Sequence, residues 1–165
     1  MWFSRLGALL RDDEREEVRA MLEALDFAPR AEVVAIASWS GVGAVLRAEE
    51  RDSRGWDAEE AERERLWASA ALRMPESDLL DALDAAHQPL RAVIQAAAAA
   101  AAARAGIADA AMIAEAAGAA LLAAHQGELA VLAGAAEAHY FRRKFRFFAG
   151  GRWPLGICDG RFIVF

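Results

Sequence analysis

The sequence predicts an all-α fold of about six or seven helices, arranged as a bundle or as stacked antiparallel helical hairpins, with a small C-terminal β-hairpin. Three observations carry this. Residues 92–136 are alanine-rich, include eight consecutive alanines at 96–103, and hold only Arg104, Asp109, Glu115 and Glu128 as charges. Alanine has the highest helix propensity and loses no side-chain entropy on folding. Upstream, apolar residues recur at helical spacing between capping and proline signals. At the end, 155–165 alternates about Asp159-Gly160, a dipeptide suited to a two-residue type I′ turn.

Each element follows from local chemistry. Asp12 or Asp13 caps a first helix whose opening turn is acidic through Glu14, Glu16 and Glu17, with Val18, Met21, Leu22 and Leu25 as its buried stripe. Pro29 starts a second, with Val33, Ile36, Ala37, Val45 and Leu46 as core candidates and a weak middle at Gly41 and Gly43. A loop at 53–56 precedes a third helix capped by Asp57 with Glu60 at the capping-box position; Leu66, Trp67, Ala70 and Ala71 are its burying end. Pro75 opens a fourth, with Leu79, Leu80 and Leu83 apolar, and Pro89 a fifth reaching Arg104. Asp109 caps a sixth through Ala124, and Gly127 breaks it before a long seventh running to Phe148. In the hairpin, Ile157 pairs with Phe162 and Leu155 with Val164, and this face must lie on the helices because a lone hairpin is marginal in water.

At 165 residues the chain reads as a single helical domain, with an apolar segment at 1–11 and the hairpin at 152–165 packed on the helices. Such a length buries roughly 68–70% of the unfolded surface. The net charge of −6 argues against general affinity for nucleic acid or anionic membranes. Cys158 is the single cysteine, so no internal disulfide forms, and a cytoplasmic location is expected. Eighteen of the nineteen basic residues are arginine, which with the alanine content points to a GC-rich bacterial genome. Arg11-Asp-Asp-Glu14 follows the apolar start at once with no small-residue cleavage site, so neither a signal peptide nor a membrane span is expected.

No catalytic constellation emerges. His87, His125 and His139 lack three- or four-residue spacing, so neither a metal nor a cofactor is expected. In 38–43 neither a nucleophile elbow nor a dinucleotide fingerprint is complete, and close helix packing explains the glycines. Glu59, Glu60, Glu62 and Glu64 with Arg63 and Arg65 read as a solvated face. The basic-aromatic run at 139–148 is the most discriminating feature. Phe141, Phe145 and Phe148 share one helix face and Arg142 and Arg146 another. A hairpin folded back would bring Arg152 and Arg161 to Arg142, Arg143 and Arg146. With Tyr140, Trp153 and Phe165 these are the candidate partner-binding residues.

The expected function is therefore that of a non-enzymatic helical protein holding one specific protein partner, a toxin or effector, as an immunity protein, antitoxin-like inhibitor or adaptor would. In texture, 90–132 is similar to immunity proteins of bacterial polymorphic-toxin loci, with no motif to transfer residue by residue. Helix faces and the C-terminal strand edge offer routes to a homo-oligomer. Two alternatives stand beside this. One is an enzyme pairing His125 or His139 with Glu128 or Glu137 between helices. The other is peripheral membrane attachment through Trp2, Phe3, Leu6, Leu9 and Leu10.

Overall fold

A computed structural model describes residues 1–25, 31–48 and 53–165. Among them lie six helices and three strands: α1 (Asp12–Ala24), β1 (Glu32–Ala35), α2 (Trp39–Arg47), α3 (Arg54–Ala71), α4 (Glu76–Arg104), α5 (Ala110–Leu132), α6 (Tyr140–Ala149), β2 (Pro154–Cys158) and β3 (Arg161–Val164). The mostly helical body with a C-terminal strand pair is as expected, and so are the α1 stripe of Val18, Met21 and Leu22 and the Asp109 cap.

The second helix is the main departure. Pro29 lies outside the described residues, and the expected helical stretch after it is instead β1, followed by a short α2. Val33, Val34 and Ile36 suit a pleated backbone, and pairing with β3 supplies the hydrogen bonds a helix would otherwise have made locally. Ser38 caps α2 by accepting from the Gly41 N–H at 3.3 Å. The predicted loop at 54–56 is already helix, which places Asp57 inside the first turn of α3 rather than at its cap.

Two predicted breaks are absent. Pro89 sits within a continuous α4. Both Pro89 and Ala85 are exposed, so the carbonyl deprived of its donor lies on the solvent side. Gly127 is buried inside α5, where an added Cβ would stand 3.0 Å from Phe145 Cβ. This glycine lets α5 and α6 approach closely instead of ending a helix. The chain turns later, at 133–139, and α6 starts at Tyr140.

β3 occupies the centre of the sheet, parallel to β1 (Val33 beside Phe162) and antiparallel to β2 (Ile157 beside Phe162). The last strand is thus not an edge; β1 and β2 are. A bulge between Pro154 and Gly156 displaces Leu155 from the expected pairing with Val164, which is opposite Pro154. Positive φ at Asp159 (51°) and Gly160 (68°) fits the predicted turn.

Alanines build the seam between α4 and α5: Ala98 and Ala102 meet Ala116, Ala120 and Ala123 in one core cluster with Trp39, Phe148, Trp153 and Phe165. Bulkier side chains, including Met21, Leu66, Leu79, Leu129 and Phe141, form the second cluster. The N-terminal segment is clasped to this body by Arg152, only 1% exposed. Its guanidinium donates to both Glu14 carboxylate oxygens at 3.0 Å and to the carbonyls of Arg5, Ala8 and Leu9 at 2.6–2.7 Å. No helix among the described residues is long and apolar enough to cross a membrane.

Candidate functional site

The predicted basic patch is taken up by ion pairs with carboxylates. Arg142 pairs with Glu137, Arg143 with Glu17 at 2.5 Å, and Arg146 with both Glu137 and Glu17. Arg152 turns inward to Glu14, and Arg161 lies 3.5 Å from Glu32 on β1. Tyr140, Trp153 and Phe165 are all buried, Phe165 and Trp153 flanking Trp39 with ring centroids 5.3 and 6.1 Å from it. Each arginine is therefore paired with a carboxylate, Glu137 and Glu17 being shared among the three of α6, and four of the eight predicted residues lie beneath the surface. The N-terminal apolar side chains are similarly occupied. Phe3 and Leu10 are buried, Trp2 packs edge-on against Phe145, Leu6 is partly covered, and Leu9 stands exposed.

Two cavities carry the remaining chemistry. The larger, of about 560 Å³, lies between the end of α1, the start of α3, one face of α5, α6 and the sheet. Such a volume falls within the range of small-ligand sites. The cavity exists because α5 presents Ala111, Ala114, Gly118 and Ala119 along that face. A Cβ added at Gly118 would meet nothing within 4 Å. Trp56, 62% exposed, marks the mouth, while Phe148, Trp153 and Phe162 line buried parts of the wall.

Glu59, Tyr140 and Lys144 form one side of this cavity and join buried Gln126 in a closed polar quartet. Lys144, the sole lysine, donates to the two oxygens of Glu59 at 2.7 and 2.6 Å and to Gln126 Oε1 at 3.3 Å. Glu59 also accepts from the Tyr140 hydroxyl at 2.5 Å and from Gln126 Nε2 at 3.3 Å. Burial, followed by the charge and hydrogen bond of Glu59, pushes the Tyr140 hydroxyl well above its ordinary value, so it stays a donor. The three ammonium protons of Lys144 are all committed. Glu59 was expected on a solvated face. α3 turns it and Glu62 inward, and leaves Arg63 and Arg65 in i, i+3 pairs with Glu60 and Glu62. The one sequence signal for the quartet was the uniqueness of Lys144.

The smaller cavity, about 260 Å³, is lined by His87, His125, Glu128, Glu137, Arg142 and Arg146 among apolar side chains. The two imidazoles stand edge to face, centroids 6.2 Å apart. Burial, then the positive potential of His87 and Arg63, lowers the His125 pKa against an opposing pull from Asp84. The imidazole and carboxylate residues of the enzymatic alternative thus meet here, except His139. Its Nδ1 instead accepts from the Phe141 N–H at 3.2 Å, capping α6, while Nε2 donates to Glu62 at 2.6 Å. No hydrogen bond among the described residues joins His87 or His125 to a carboxylate. Nor do three His, Cys, Asp or Glu side chains among them come together in a group able to hold a metal ion. The chain matches no protein-family model, no curated protein and no solved structure.

Proposed function

We propose that the chain is a non-catalytic binding protein whose ligand is an apolar molecule held in the larger cavity. The observation that carries this reading is an open space of ligand size walled by small α5 side chains and aromatic rings, with its polar side already satisfied by the Lys144–Glu59–Tyr140–Gln126 quartet. Saturated donors and acceptors give that side of the wall rigidity and commit the charges of Lys144 and Glu59 to one another. The described lining contains no serine, cysteine or histidine to serve as a nucleophile or base. Apolar area removed from water would supply the affinity.

Nile red, a neutral apolar dye, tests the proposal. One dye per chain should bind with a blue-shifted emission, and Gly118→Leu should abolish binding while near-ultraviolet dichroism stays unchanged. Dye uptake indifferent to that substitution would refute it.

A protein-partner role, as an immunity or antitoxin-like inhibitor or an adaptor, has separate support on α4. Glu76, Asp78 and Asp81 are exposed, enter no ion pair among the described residues, and lie near exposed Leu72 and Leu80. A basic partner with an apolar rim would fit that surface. Charge reversal at Asp78 and Asp81 should then reduce capture of that partner, and undiminished capture would exclude this face.

A further inference from the structure

Resting on the cavity reading above, we infer that the preferred ligand is a lipophilic cation, an alkylammonium in chemical class, and not a fatty acid or a neutral alcohol. The argument is one of charge and ring chemistry. Among the described residues Lys144 is the only cationic one lining the cavity, and Glu59 with Gln126 consumes its donors. An anionic head would have to displace the Glu59 carboxylate from that ammonium. Glu115, the remaining charged residue of the lining, is exposed at the α5 wall and has no ion pair or hydrogen bond through its side chain among the described residues. The described lining thus carries one negative charge in excess, Glu59 and Glu115 against Lys144.

Five aromatic side chains, Trp56, Tyr140, Phe148, Trp153 and Phe162, surround the same space. Aromatic faces attract ammonium groups, most strongly where water is excluded, and offer nothing comparable to a carboxylate. An alkyl chain in the apolar interior with its ammonium near Glu115 and Trp56 satisfies both features at once. The overall charge of −6 favours any cation from a distance, so a local preference must be separated from it.

Titration of the full chain with decyltrimethylammonium, decanol and decanoate below their aggregation concentrations, followed by tryptophan fluorescence and calorimetry, makes the test. The cation should bind on the order of tenfold tighter than the alcohol, and the carboxylate weakest. Glu115→Gln should bring the cation close to the alcohol without changing the alcohol's affinity. Asp81→Asn, which removes the same charge far along another helix, should leave the preference intact. Gly118→Leu, or Ala114→Leu as a second filling variant, should block all three. Equal binding of the three probes, tighter binding of decanoate, or equal effects of Glu115→Gln and Asp81→Asn would overturn the cation preference and leave the apolar cavity standing. Failure of every probe to bind would overturn the cavity reading itself, and this inference with it.

Discussion

Replacing Arg152 by methionine should cost about 3 kcal/mol of folding stability. Methionine preserves much of the side-chain volume but removes the whole guanidinium. Glu14, 7% exposed, then loses its bidentate partner, and the carbonyls of Arg5, Ala8 and Leu9 lose the donors that bind the N-terminal segment. Breaking a buried pair from one side costs about 3–5 kcal/mol. The lower end applies because Arg5 remains 2.9 Å from Glu14 and Arg11 donates its N–H to it at 2.9 Å. For a chain of this length, about 3 kcal/mol corresponds to a fall of roughly 6–12 °C in melting temperature. Urea unfolding followed by circular dichroism would measure it. The pH dependence gives a second handle. Burial tends to raise the Glu14 carboxyl, but the hydrogen bonds from Arg152 and the Arg11 N–H, with the charges of Arg152 and Arg5, together hold it below the usual carboxylate value. A carboxyl depressed in the folded state stabilises fully above its unfolded pKa of about 4.3, and that stabilisation fades as pH falls through the folded value. Arg152→Met should flatten this acid limb. A loss under about 1 kcal/mol, or an unchanged acid limb, would refute the clasp.

Other perturbations probe separate parts of the molecule. Gly127→Val should destabilise by about 1–3 kcal/mol in denaturant titration, because the new side chain meets Phe145 Cβ where even a Cβ stands at 3.0 Å. Lys144→Met should be costlier than Tyr140→Phe, about 3–5 against about 1–2 kcal/mol, since the first leaves the Glu59 carboxylate uncompensated and the second removes a single hydrogen bond. His125 has its pKa lowered by burial and by the His87 and Arg63 charges, so below about pH 6.5 the unfolded chain takes up a proton that the folded chain refuses. Stability should therefore fall with acidity from about pH 6.5 down to the folded pKa, and His125→Phe should remove that part of the slope.

Much of the fold was legible because its signals are local. The α1 stripe, the Asp109 cap, the alanine helices and the Asp159-Gly160 turn each depend on residues within one or two turns of chain. Where neighbours in space outweigh neighbours in sequence, the reading failed. Val33 and Val34 fit helix or strand, and only β3, some 130 residues away, decides between them. Gly127 and Pro89 read as breaks, yet the close approach of α6 and the solvent-facing turn of α4 let the helices continue.

The candidate site divides the same way. Arg142, Arg143, Arg146, Arg152 and Arg161 are visible as cations in the sequence, but the carboxylates that neutralise them come from the N-terminal third of the chain and from Glu137. Nothing local tells Glu59 from Glu60, one turned to Lys144 and the other to Arg63. By itself the sequence determined the helical character of α1 and of the alanine-rich α4 and α5, because propensity and periodicity are properties of neighbouring residues. Tertiary structure alone decided which charges are spent and which space stays empty. A cavity is the volume that distant side chains together fail to fill, and no single stretch of chain encodes it.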